Sequence, residues 1–183
     1  TGERLAPIDA FSSNILLAVF RGGRLARIGH NHAITARNLH GQAAVSPRLT
    51  GSRFELLVPF SGLSLDEPDA RGQLGDGFET RLSSGDIEAT NKNMLGARGL
   101  DSKNHHGVWI IGEVAQASGE EVLLALTIQL HGYEVHMRTP AIIRTSAGGT
   151  LASGITIAGM LVLNQSDFGI TPFSALGGAL VVK

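Results

Sequence analysis

Large apolar residues fall on every second position through much of this chain. The clearest run is Val122, Leu124, Leu126, Ile128 and Leu130, interleaved with Leu123, Ala125, Thr127, Gln129 and His131. A two-residue period is the signature of a strand with one face buried. Gly132 allows a turn, and the return segment sets Tyr133, Val135 and Met137 on one face and Glu134, His136 and Arg138 on the other. The same pattern puts Phe54, Leu56, Val58 and Phe60 on one side of a strand, with Pro59, which has no N–H, expected at an edge or bulge. Further strands are expected over 14–20, over 33–45 as a strand or hairpin broken at Gly41, over 107–114 and over 154–163, with a last one over 179–182.

The middle of the chain reads differently. Residues 69–99 are polar and glycine-rich, without a two-residue period. Within them, residues 84–96 have acids in the first turn, glycine after the last apolar pair, and Ile87, Thr90, Met94 and Leu95 spaced for one face of a helix. One short helical insert is therefore expected around residues 84–96, laid over one end of the strands.

A terminal strand stays ordered when it pairs. The expected partners of the last strand are the strand before it and the N-terminal one, which would close the sheet and remove its edges. Short antiparallel strands with one helical insert predict an all-β fold, a single antiparallel barrel of about eight strands spanning residues 1–183 as one domain. At 183 residues such a domain can bury roughly 70% of its unfolded surface. Glycine, at 24 residues, is about double the usual ~7%, which suits many tight turns and bent strands.

Aromatic residues are only 5% of the chain while Leu, Val, Ile and Ala are plentiful, so a barrel lined by them either leaves room for a slender guest or fills with its own side chains and serves as an interaction module. The expected lining is Phe54, Leu56, Val58, Phe60, Leu124, Leu126, Ile128, Leu161 and Leu163, with Phe168 from the closing turn. Trp109 is added as a core or rim anchor, because both faces of its strand are apolar. A one-residue slip would invert this set.

Three tracts resemble the YceI-like family of small lipocalin-like antiparallel barrels. Asn164-Gln-Ser-Asp-Phe-Gly-Ile170 is similar to its closing Asn-x-Ser-Asp-Phe-Gly-Ile motif. Residues 86–96, ending Asn-Met-Leu-Gly, resemble its helical insert, and residues 124–132 its Leu-Thr-Ile hairpin. The likeness runs nearly end to end. Two departures stand out: His105-His106 in place of an aromatic-proline pair, and His131 before Gly132. The resemblance implies non-enzymatic binding, transport or storage of an amphiphile such as a polyisoprenoid, an isoprenoid quinone or a fatty-acyl chain. It also implies a periplasmic or secreted location and allows a homodimer.

Charge and composition narrow the alternatives. Fifteen basic and 16 acidic residues give a net charge of −1 with no basic stripe, which sets nucleic acid aside. There are no cysteines, so thiol chemistry is excluded, and no apolar span reaches the length of a membrane helix. No Gly-x-Ser-x-Gly elbow is present and no catalytic residue or cofactor is assigned. Seven histidines leave a metal reading open. In an extended segment His30 and His32 project from one side and could converge on an ion, with His105 or His106 as a third nitrogen. Equally, these side chains, with His40, His131 and His136, could simply be solvated or hydrogen-bonded at the rim of the barrel.

Overall fold

The computed structural model describes residues 2–24, 29–145, 154–172, 174–175 and 180–182. Its strands are β1 (Arg4–Pro7), β2 (Ile15–Val19), β3 (Arg21–Gly22), β4 (His32–Ala36), β5 (His40–Val45), β6 (Arg53–Pro59) and β7 (Leu63–Leu65). After two helices, α1 (Pro68–Leu74) and α2 (Ser84–Leu95), come β8 (Gly107–Ser118), β9 (Glu121–Leu130), β10 (Tyr133–Thr145), β11 (Ile155–Gly159), β12 (Ser174–Ala175) and β13 (Leu180–Val182). The main sheet has the order β1-β5-β6-β8-β9-β10-β11. Every ladder in it is antiparallel.

More strands appear than the expected eight because bends cut long strands in two. Asn38, at φ 57°, separates β4 from β5, and a 3-10 turn over Phe60–Gly62 separates β6 from β7. The two bends are tied together, since Arg37 N donates to Gly62 O at 3.0 Å. Only glycine fits at 62, where a β-carbon would overlap the Arg37 carbonyl. A second sheet, β2-β4-β7, thus continues the first around a corner. The result is a curled, lipocalin-like all-β fold that forms half a barrel.

The chain ends meet, but not through the strands expected to pair: among the described residues the last strand joins neither β11 nor β2. β13 pairs antiparallel with β12 and with β3, placing Val181 opposite Gly22 and Val182 opposite Arg21. Arg21 and Gly22, read from sequence as loop, are therefore strand. Ala179, the first residue of the expected last strand, lies outside the described residues. Among the described residues no ladder joins β11 to the β12–β13 pair.

Burial follows the two-residue period. In β9, Val122, Leu124, Leu126 and Ile128 are all buried and the residues between them are half-exposed. Cross-strand partners extend this face: Phe54 meets Gly112, which meets Leu126, and Leu126 meets Met137. Pro59 closes β6 where the chain enters the 3-10 turn.

The expectation of one helix is corrected to two. The tract Glu67-Pro68-Asp69 carries start signals for α1, with proline in its first turn and an acid beside it. Seven residues are too few to show a helical period, which is why the pattern alone did not reveal it. Through Ala70 and Leu74, α1 packs with Phe78 on Ala33 and Leu16. α2 lies where expected. Ser83 caps it by accepting from Asp86 N at 3.1 Å, yet none of its residues is fully buried.

Candidate functional site

Alternation in the bent sheet makes one long apolar inner face. In the main sheet it consists of Phe54, Leu56 and Val58 from β6, Val108 and Ile110 from β8, and the buried set of β9. Val135, Met137, Ala141 and Ile143 follow from β10. Around the corner it continues through Ala36 and Leu63, paired opposite each other, and Ile34, which pairs with both Leu17 and Leu65. Phe168 and Ile170, from the turn after residue 164, are buried against Ile128.

Depth of burial varies along this face. Leu124, Leu126, Ile128, Val58, Phe60 and Phe168 are buried. Phe54, Leu56, Val108, Ile110, Val135, Met137 and Leu161 are only half-buried, as are Ile34, Leu63 and Leu65. Leu17, at 37% exposure, is open. A row of inward apolar side chains that keep contact with solvent is a surface that a hydrocarbon can still cover.

Two expected lining residues face elsewhere. Trp109 is 43% exposed and Leu163 42%. Trp109 stands opposite Leu57 and Gln129, on the outer side of the sheet. With Val108 to Ile111 all apolar, alternation could not distinguish the faces of that strand, and it was the pairing that turned Ile110 inward. Leu163 lies beyond β11, where the strand period no longer applies. The reading from sequence also omitted Ile110, Met137 and the β2-β4-β7 group. The β7 stretch is three residues long, and only its ladder to β4 shows that it belongs.

The outer face carries a different surface. An open concavity of about 560 Å³ is rimmed there by Arg53, Glu113, Thr127, His136 and Arg138. Nearby, His136 meets Glu134 at 3.1 Å and Thr127 Oγ1 at 3.0 Å. Ile111 and Ala125 line the same hollow, with Gly112, Leu126 and Met137, so its lining mixes polar and apolar groups.

The histidines separate into unrelated settings. His32 Nδ1 lies 2.7 Å from Asp66 Oδ2, inside a buried network. Asp66 Oδ1 accepts from Ala33 N at 2.9 Å and pairs with Arg71. Arg71 also donates to Asn31 O and Thr80 O, and Asn31 Nδ2 to Gly77 O. Burial alone would raise the Asp66 carboxyl. The bonds from His32, Ala33 N and Arg71 outweigh it and hold the group below the usual carboxylate range. This network clamps the 66–80 segment to β4. Asp86, at the start of α2, is held below its ordinary carboxylate value first by its bonds with Ser83, and His30 nearby adds the least. His106 is exposed, and its carbonyl accepts from Phe60 N. Of His30, His32, His105 and His106, His105 alone joins a group of three potential donors among the described residues, and its companions are Asp101 and His131. Asp9 and Asp167 serve turns: Asp9 accepts from Phe11 N and Ser12 Oγ, and Asp167 from Asn164 Nδ2.

A curled antiparallel half-barrel with an apolar inner face defines a lipocalin-like all-β fold. No family model and no curated protein matches the sequence. Among solved structures, the chain is similar to BcnA of Burkholderia cenocepacia, with a TM-score of 0.55 and 12% identity over 90% of this chain and 91% of that one. It is also similar to a polyisoprenoid binding domain from Saccharophagus degradans implicated in plant cell wall breakdown, with a TM-score of 0.52 and 12% identity over 91% of this chain and 80% of that one. At that identity the likeness shows the fold, which is the architecture implied by the YceI-like resemblance. Among the described residues no helix is long and apolar enough to cross a membrane.

Proposed function

We propose that this protein binds an extended amphiphile, a polyisoprenoid, isoprenoid quinone or fatty-acyl chain, along the inner face of the half-barrel, as a carrier or store and without catalysing a reaction on it. The observation that carries this reading is the half-buried row Leu56, Ile110, Met137 and Leu161, continued around the corner by Leu63, Ile34 and Leu65. Covering such a row gains roughly 0.8 kcal/mol per methylene, so six or seven methylenes offset a substantial ordering cost. The likeness to the polyisoprenoid binding domain of Saccharophagus degradans supports the ligand class. A periplasmic or secreted location goes with this reading.

The test is native mass spectrometry of the purified chain with farnesyl, octaprenyl and palmitoyl probes, beside analysis of an organic extract of the protein. The expected result is a one-to-one adduct, preferring the longer chains and weakened tenfold or more by Leu56→Lys. Absence of both adduct and co-extracted lipid would refute the proposal.

A further inference from the structure

Asp101 and His105, four residues apart in the loop after α2, meet His131 of the β9–β10 turn. One donor atom from each, a carboxylate oxygen and two imidazole nitrogens, lies within 4.8 Å of the others. The His105 and His131 rings are 4.7 Å apart, centre to centre, and inclined by 47°. All three residues are half-buried. His131 Nε2 is fully buried and has no hydrogen-bond partner among the described residues. A buried polar atom left unsatisfied costs free energy and calls for a reason.

The backbone around these groups is unusual in the same place. Five described residues other than glycine have positive φ, and two of them are Asp101 (44°) and His131 (57°). His131 and Gly132 form the two-residue turn between β9 and β10, with Gly132 at φ 80°. Such turns favour Asn-Gly, and histidine, like aspartate, is among the residues that adopt positive φ most readily. Asp101 is fixed by the knot of bonds after α2, donating from N to Gly96 O and accepting at O from His105 N, both at 3.0 Å. Its Oδ2 accepts from Asn104 Nδ2 at 2.7 Å, an outer-shell bond of the kind that orients a ligating carboxylate.

We infer that Asp101, His105 and His131 form a binding site for a divalent first-row transition metal of the zinc class. Two neutral imidazoles and one ionised carboxylate suit such an ion, and three protein ligands leave a fourth position open. Around a tetrahedral ion with bonds of about 2.0–2.2 Å, donor atoms stand about 3.5 Å apart. Side-chain rotation of roughly an ångström therefore brings these three into place. The ion gives His131 Nε2 its partner. It also ties the loop after α2 to the β9–β10 turn, beside Leu100 and Leu130, which pack on the Ile128–Phe168 cluster. The site does not depend on the binding of an amphiphile.

The test is calorimetric titration of the untagged, chelator-treated, delipidated full chain with zinc chloride, together with thermal unfolding and the visible absorption of added Co²⁺. The expected result is saturation at one ion per chain, a melting temperature that rises with zinc, and a four-coordinate Co²⁺ band. His131→Asn keeps a residue suited to the turn, and it should weaken binding tenfold or more and abolish the band. His105→Gln, which leaves the turn untouched, should do the same, while His136→Asn on the outer face should change nothing. Absence of saturable binding to the parent chain, or undiminished binding by His131→Asn and His105→Gln, would overturn the inference.

Discussion

The ring of Phe54 lies across Gly112, so that a β-carbon at 112 would overlap the Phe54 ring edge and reach Leu126 Cδ2 at 3.0 Å. The two residues face each other across the β6–β8 ladder. The absence of a side chain at 112 is what allows an aromatic to lie flat on the inner face. Gly112→Ala should lose about 1–3 kcal/mol in urea unfolding, the usual cost of overpacking. Adding Phe54→Leu should recover part of that loss, because contacting residues are coupled. Purely additive losses in the double-mutant cycle would show that the ring does not rest on Gly112.

Tyr133 and Gly169 form a similar pair at the hairpin end. Gly169 has φ 68°, and a β-carbon there would run into the Tyr133 ring. Gly169→Ala should cost about 1–2 kcal/mol, from left-handed backbone strain. Because Tyr133 is half-exposed and can swing aside, Tyr133→Ala should relieve little of that cost, and thermal melting of the two variants and their combination will show it.

The buried Asp66–Arg71 pair should be sensitive to loss of either partner. Asp66→Asn or Arg71→Met leaves a buried charge without its counterion, which typically costs about 3–5 kcal/mol. Replacement of both should be less damaging than the sum of the single changes, as measured by chemical unfolding. Asparagine tolerates the φ of 55° at position 66, so the loss reports charge rather than backbone.

The same carboxylate sets a pH dependence. The Asp66 pKa is lowered in the folded chain relative to its ordinary value of 3.8. The folded state therefore binds fewer protons at this group than the unfolded state, and stability rises with pH through the interval between the two values. The contribution is fully present above the unfolded pKa and is lost as pH falls through the folded one. Unfolding free energy should thus decline below about pH 4, and Asp66→Asn should flatten that decline.

α2 should be less protected than the central strand β9. It has no fully buried residue, whereas β9 buries every second side chain. Amide hydrogen exchange should be faster over 84–95 than over 122–128. Ser83→Ala, which removes the cap, should cost about 0.5–2 kcal/mol locally and accelerate exchange in α2 while leaving β9 unchanged.

Alternation alone made the strands legible, because a two-residue period with one apolar set has a single way to bury it. It placed β6, β9 and the inward Leu124, Leu126 and Ile128, and the capping and glycine signals placed α2. The C-terminal strand was expected beside the N-terminal strand over 14–20, and it pairs instead with Arg21 and Gly22 just after it. Where the period is ambiguous, only pairing decided: Trp109 turned outward and Ile110 inward because Leu57 and Leu56 stand opposite them. The meeting of His32 with Asp66, and of His131 with Asp101 and His105, was invisible for a different reason. Sequence pattern reports which face a residue takes within its own element, whereas these contacts depend on how bends and loops far apart in the chain are brought together in space.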